Sequence, residues 1–209
     1  MALDTFANLK TSIEAWLDDA DTYDGAVDDI ILMAESEFNR RLRVPEMEVR
    51  SQATVSGQYL ALPDDFLQLR AIYLLNDAYI RLDQLPITQL RSDYAAYTTG
   101  QPRAYAINDG QFVFGPQPDT TYTAEIVYYA KIPALSVSNT TNWLLTAHPD
   151  LYLAQCMGLG ELFGFNDPRA QLMKARADEI IDQMDMAARK HNMGSAPIRM
   201  SHGVNERLW

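Results

Sequence analysis

Tyr122-Thr123-Ala124-Glu125-Ile126-Val127-Tyr128-Tyr129-Ala130 is dense in β-branched and aromatic residues and contains neither glycine nor proline. Such a run fits a pleated, half-buried surface, and it predicts the longest strand of the chain. Working upstream, Ala104-Tyr105-Ala106-Ile107 and Gln111-Phe112-Val113-Phe114 flank Asn108-Asp109-Gly110, a strong hairpin signal. Leu69 to Leu75 and Ala78 to Leu82 flank Asn76-Asp77, a second turn between strands. Gln52 to Ser56 and Tyr59 to Leu62 flank Gly57-Gln58 and read as a third hairpin. Pro63-Asp64-Asp65-Phe66 reads as a short helical turn, and Leu85 to Tyr94 as a short helix with Pro86 in its first turn. Residues 50–132 are therefore expected to hold about five to seven antiparallel strands.

Helical periodicity brackets this segment. Leu3, Phe6, Leu9, Ile13, Trp16 and Leu17 recur at steps of three and four, predicting an amphipathic helix over 3–20. A second helix over about 25–42 places Val27, Ile30, Ile31, Ala34, Phe38 and Leu42 on one side. Arg40, Arg41 and Arg43 suit its C-terminus, and Pro45 stops it. Downstream, His148-Pro149 opens a segment to about Phe165 that is apolar on nearly every side. A helix without a polar face is buried by neighbours or by another subunit. After Asn166-Asp167-Pro168, a helix over about 168–189 aligns Met173, Ala177, Ile180, Met184 and Ala188. The expected fold class is α+β. A helical bundle is built from 1–49 and 141–189, an antiparallel β domain is inserted at 50–140, and an extended tail follows at 190–209.

Composition narrows the function. The chain has 209 residues, 47% of them hydrophobic, enough to bury a core. Its 28 acids against 17 Lys and Arg give a net charge of -11, which argues against wrapping nucleic acid through its phosphates. The excess is uneven. Glu14 to Glu37 contains many acids and no base, whereas 190–209 is net basic and mixes Arg199 and Arg207 with Ile198, Met200, Val204, Leu208 and Trp209. Trp and Arg are the residues most enriched at interface hot spots, so this tail reads as a docking segment. No signal peptide and no membrane span are evident, and the expectation is a soluble protein made in a reducing cytoplasm.

Little points to catalysis. The ten glycines include no phosphate-cradling spacing. His148, His191 and His202 lie far apart in sequence, so caps and surface positions explain them better than metal ligation. The single cysteine, Cys156, sits in an apolar helix and reads as a buried structural thiol. The pairs Asp18-Asp19, Asp28-Asp29 and Asp64-Asp65 are the one enzymatic thread. They raise the alternative of a peptidoglycan hydrolase, although adjacent acids in helix caps do not define a sugar-binding cleft. No cofactor is expected.

The ordered set of segments is similar to the head-to-tail connector (adaptor) proteins of short-tailed bacteriophages and their relatives. Four stretches carry the likeness. They are Ala34-Glu35-Ser36-Glu37-Phe38-Asn39-Arg40-Arg41-Leu42-Arg43, then Leu60-Ala61-Leu62-Pro63-Asp64-Asp65-Phe66-Leu67. Tyr128 to Ser136 follows, with Thr141-Asn142-Trp143-Leu144-Leu145. The last is Pro149-Asp150-Leu151-Tyr152-Leu153 with Asn166-Asp167-Pro168-Arg169-Ala170. Where the family often continues with a bulkier helix, this chain has Gly158 and Gly160.

The resemblance implies a non-enzymatic virion part at the neck between head and tail. It implies a dodecameric ring of copies under the portal protein that joins the tail nozzle or tail-tube protein and extends the DNA channel. A tail-completion or tail-tube protein is the structural alternative. By position, the portal-docking segment would include Ile198, Arg199, Met200, Val204, Arg207, Leu208 and Trp209. Asp18, Asp19, Asp21, Asp24, Asp28 and Asp29 are the candidate channel-lining acids, since negative walls let DNA pass without specific binding.

Overall fold

A computed structural model describes residues 3–17, 25–75, 79–94 and 99–193. The first two helices are α1 (Phe6–Leu17) and α2 (Ala26–Arg41), and a 3-10 turn at Pro45–Met47 leads into the strands. These are β1 (Glu48–Val55), β2 (Tyr59–Ala61), β3 (Phe66–Leu75), β4 (Tyr79–Arg81) and β5 (Asp83–Gln84), then β6 (Ala104–Asn108), β7 (Gln111–Gly115) and β8 (Tyr122–Ala130). A short helix α3 (Ile87–Asp93) separates β5 from β6. The chain continues as α4 (Trp143–Ala147), α5 (Pro149–Phe163) and α6 (Asp167–Met193). The α+β class holds, with helices at both ends of a strand-rich middle.

The strands form two four-stranded sheets, ordered β1-β8-β3-β4 and β2-β7-β6-β5. Alternation along β8 shows why they pack. Tyr122, Ala124, Ile126, Tyr128 and Ala130 share one cluster with Ile72 and Leu74 of β3 and with Tyr105, Phe112 and Phe114 of β6 and β7. The opposite faces of β6 and β7 present Ala104, Ala106 and Val113 to Leu90 of α3. Side chains two apart along a strand share a face, so each strand feeds separate layers. Tyr129, out of phase with its neighbours, joins the helical core instead.

Three strand readings need correction. The Gly57-Gln58 turn does not close a hairpin, because β1 pairs with β8 from Glu48↔Tyr129 to Val55↔Tyr122 while β2 pairs with β7. A register along the whole of β1 outweighs the three-residue local pairing that β2 could offer. The longest strand is β3, at 10 residues against 9 for β8. It reaches back to Phe66 through two register irregularities. Eight strands are present among the described residues, and one pair, β5 with β6, is parallel. The two polar residues of β5 carry no alternation that a sequence pattern could register.

Other turns stand as read. β6 and β7 form a hairpin in which Asn108 pairs with Gln111, and Asp109 and Gly110 take φ values of 49° and 68°. Those left-handed values are what a two-residue primed turn requires. β3 and β4 also pair antiparallel, although Asn76-Asp77 lies outside the described residues. At Pro63-Asp64-Asp65-Phe66 the Phe66 amide closes a turn onto the Pro63 carbonyl at 3.0 Å.

The helical core collects Leu9 and Ile13 of α1, Ile31, Ala34 and Phe38 of α2, and Leu151, Tyr152, Cys156 and Met157 of α5. From α6 it takes Ala177, Ile180, Met184 and Ala188, the face expected from the sequence. Trp16, expected on the apolar face of α1, is 53% exposed. Leu17 closes that face instead, packed against Gly160 of α5, where a Cβ would come within 2.8 Å of the Leu17 Cδ1. Gly158 plays the matching part for α6, since a Cβ there would stand 3.3 Å from the Lys174 backbone nitrogen. The two glycines thus let α1 and α6 approach α5 closely.

A polar strap joins the two parts. The Ile132 amide donates to Asn39 Oδ1 at 2.9 Å and the Leu135 amide to Glu35 Oε1 at 2.9 Å. The Tyr152 hydroxyl also donates to Glu35 Oε1, at 3.1 Å, and accepts from Asn142 Nδ2 at 2.7 Å. Asn142 in turn caps α4, accepting from the Leu145 amide at 2.8 Å. Burial is the main force raising the Glu35 pKa above 4.5, opposed by its two hydrogen bonds.

Two outcomes follow. Tyr152→Phe should cost about 1–3 kcal/mol in urea unfolding, because buried Asn142 and Glu35 lose a partner. Glu35 in the folded state holds its proton more tightly than in the unfolded chain. Its contribution is therefore fully present below the ordinary pKa and is lost as pH rises through the raised one. Glu35→Gln should accordingly gain on wild type as pH climbs from about 4 toward neutral. Parallel stability–pH curves for the two proteins would show that Glu35 carries no such linkage.

Candidate functional site

Of the candidate channel acids, Asp28 and Asp29 are described, and both are exposed on the first turn of α2. Carboxylates there complement the positive end of the helix dipole. Asp28 also pairs with Lys10 of α1 at 2.7 Å, and Lys10 lies over the Phe6 ring at 5.5 Å. Asp29 faces solvent. Asp18, Asp19, Asp21 and Asp24 lie outside the described residues, as do Ile198, Arg199, Met200, Val204, Arg207, Leu208 and Trp209.

In the remaining pair, Asp64-Asp65, the Asp65 carboxylate serves the fold and Asp64 contributes its backbone carbonyl. Asp65 Oδ1 accepts the Tyr128 hydroxyl at 2.9 Å, and Lys131 Nζ donates to the Asp64 carbonyl at 3.0 Å. Desolvation, followed by the Asp65 partner, pushes the Tyr128 phenol up to about 12. Cys156 is fully buried, and burial pushes its thiol far above the ordinary range, which keeps it protonated and inert. No group of three or more His, Cys, Asp or Glu among the described residues could hold a metal ion.

What spacing did not reveal is the elbow between α5 and α6. Phe165 sits there at φ 58° and is 93% exposed. A left-handed backbone is costly for a bulky residue, and exposure of an aromatic adds to that cost. The elbow is nonetheless fixed. Buried Glu161 accepts from Asn166 Nδ2 at 2.8 Å and pairs with Arg169 at 3.0 Å, and the Asn166 amide donates to the Glu161 carbonyl at 2.8 Å. Leu162, Phe163 and Leu172 are also more than half exposed. The all-round apolar character of α5 was the available signal. One side of that helix fills the core of this chain, and the end near the elbow faces outward.

Beside the elbow lies a cleft of about 210 Å³ between α2, α5 and α6. Glu37, Gln155, Asp167 and Lys174 give it polarity, and Gly158, Leu159 and Leu162 form its apolar wall. Gln155 Nε2 donates to Glu37 Oε2 at 3.0 Å, and Arg41 lies 3.7 Å from Glu37 Oε1, whereas the buried Gln155 Oε1 has no partner among the described residues.

A family model described as SU10 adaptor protein matches residues 4–201 of the chain. The chain belongs to this family of phage head-to-tail adaptors. No curated protein matches it. As an SU10 adaptor it is a structural component of phage tail assembly that works with other head and tail parts. No helix among the described residues is long and apolar enough to cross a membrane. For the adaptor's elbow, Arg169→Ala strips buried Glu161 of its cation and should lower stability by about 1–3 kcal/mol in denaturant unfolding. A change within about 0.5 kcal/mol would show that Asn166 alone holds the turn.

Proposed function

We propose that this adaptor assembles as a dodecameric ring beneath the portal, at the neck between head and tail, and joins the portal to the tail nozzle or tail tube. It acts without catalysis. The observation that carries this reading is the rigid, exposed apolar elbow at Leu162, Phe163, Phe165 and Leu172. A heterologous ring contact sets such a surface against a different face of the next copy, and the exposed Trp16, Leu32 and Met33 of α1 and α2 offer apolar surface of the right character.

In this reading 1–49 and 141–189 supply the bundle, 50–140 the inserted β part, and 190–209 the segment that docks on the portal. The acid-rich stretch from Glu14 to Glu37, including Asp18, Asp19, Asp21, Asp24, Asp28 and Asp29, faces the channel. Its negative potential keeps passing DNA from adhering. Exposed Asp29 and the solvent side of Asp28 are compatible with that orientation.

The tail assignment is tested by portal-binding titrations. Removal of the residues after Met193 leaves α6 whole and should abolish binding to the portal. Trp209→Ala should weaken it by about 2 kcal/mol or more, as for a buried aromatic anchor. Undiminished affinity in both proteins would overturn the assignment.

A further inference from the structure

Among the described residues β1 is the one long strand at a sheet edge. It ends the order β1-β8-β3-β4, and its eight residues pair with β8 from Glu48↔Tyr129 to Val55↔Tyr122 without a break in register. Sheet edges are ordinarily blunted by proline, a bulge or brevity, and β1 has none of these. Backbone alternation shows what the edge offers. The Leu82 amide donates to the Ile72 carbonyl, which turns the Ile72 backbone toward β4. Along antiparallel ladders the hydrogen-bonded side alternates with each residue, so Tyr73 and Glu125 face each other, as do Ile126 and Ser51. Arg50, Gln52 and Thr54 then turn their amides and carbonyls away from β8. The Glu48 amide agrees, since it donates to the Pro45 carbonyl rather than to β8. By the same alternation Tyr79 and Arg81 turn their backbone groups outward from β4. No described backbone group meets these outward amides and carbonyls.

Direction, face and register match the two edges to each other. All pairs in this four-stranded sheet are antiparallel, so β1 and β4 run in opposite directions. Neighbouring copies in a twelve-membered ring differ by a rotation of about 30°, so the next copy's β4 still meets β1 antiparallel. Pairing β1 with itself needs a half-turn between neighbours, which such a ring does not contain. The outward residues of both edges carry their side chains on the face of Tyr73 and Glu125, opposite Ile72, Leu74 and Ile126 of the sheet core. Joining the edges therefore continues each face without inversion. Side chains choose the register. Tyr79 opposite Arg50 sets Ile80 opposite Val49 and Arg81 opposite Glu48, whereas a shift of two residues sets Arg81 against Arg50 and Ile80 against Ser51. Opposite charges and apolar pairs across strands are favourable, and like charges are not. Arg81 is exposed and has no ion pair among the described residues, and Arg70 takes Oε2 of Glu48 rather than Oε1. Arg50 keeps its pairing with Glu125 Oε2 at 3.4 Å beneath the incoming Tyr79 ring. Tyr79 and Ile80 are 68% and 37% exposed, so β4 has apolar surface to cover on both faces.

We propose that β1 of each copy takes β4 of the next as an added strand, so that one sheet continues from copy to copy around the ring. Arg81 then pairs with Glu48, Ile80 covers Val49, and Tyr79 lies against Arg50. The outward amides and carbonyls of Arg50 and Tyr79 bond to each other, and the Arg81 amide donates to the Glu48 carbonyl. This contact is made by the β part of the chain and is separate from the helical elbow. It rests on the ring reading given above.

The test uses the full chain assembled on its cognate portal, with the rings imaged alongside. Glu48→Cys and Arg81→Cys are combined in one chain and oxidised mildly, while fully buried Cys156 stays out of the reaction. A ladder of covalent multimers on a non-reducing gel is expected. Thr54→Cys combined with Arg81→Cys should give severalfold less. In a chain without added cysteines, Arg81→Glu should lower ring yield severalfold without moving the urea midpoint, and Arg81→Lys should restore most of it. Imaged rings that give no ladder, an equal ladder from the Thr54 pair, a ladder from Glu48→Cys alone, or ring yields indifferent to Arg81→Glu would each overturn the proposal and leave the adaptor reading standing. Failure of the unaltered chain to form any ring on portal would fault the adaptor reading, and the strand contact would fall with it.

Discussion

Glu35 is an acid buried in a helical core, and a group of that kind persists only where hydrogen-bond donors meet it. Here a single oxygen, Oε1, accepts both the Leu135 amide and the Tyr152 hydroxyl. Those two donors belong to the segment leaving β8 and to α5, and Glu35 itself belongs to α2. Asn39, one turn on, takes the Ile132 amide, and the Phe6 amide of α1 donates to the Thr140 carbonyl at 2.7 Å. The exit from the sheets is thereby tied to three helices. Tyr129 on the outer face of β8 adds apolar contact to the same helical core. Separate clusters, one in the sheets and one among the helices, meet at this strap.

Much of this was visible in the residues, and the exceptions have physical causes. Helices read well because α2 and α6 each bury an apolar stripe at a period of 3.6, from Val27 to Phe38 and from Ala177 to Ala188. The Asp109-Gly110 turn was legible because few residue pairs tolerate two successive positive φ values. Pairing at Gly57-Gln58 was misread because local turn chemistry carries no information about a partner as distant in sequence as β8. Glu35 looked like any surface acid, since its burial depends on Leu135 and Tyr152, which lie about 100 residues away. The elbow was half legible. The apolar excess of α5 was plain, but its division into an inner and an outer part depends on where α1 and α6 pack.

Electrostatics and packing converge on the same functional class. The acidic excess is carried on the body, and at Asp28 and Asp29 it sits on an exposed helix start whose dipole already favours negative charge. Rigid apolar relief occurs at the α5–α6 elbow, held by Glu161, Asn166 and Arg169. A chain that repels its copies through net charge and offers them apolar surface is suited to assembly on a template rather than in free solution. Membership of the SU10 adaptor family provides the setting in which that combination is useful.

The most direct measurement is to mix the full-length adaptor with its cognate portal and image the product by cryo-electron microscopy. The expected product is a single ring of twelve copies seated beneath the portal. In it the α5–α6 elbow of one copy meets α1 and α2 of the next, and the start of α2 faces the central channel. A portal that remains bare, or a ring whose elbows point to solvent while the starts of α2 point away from the channel, would contradict it.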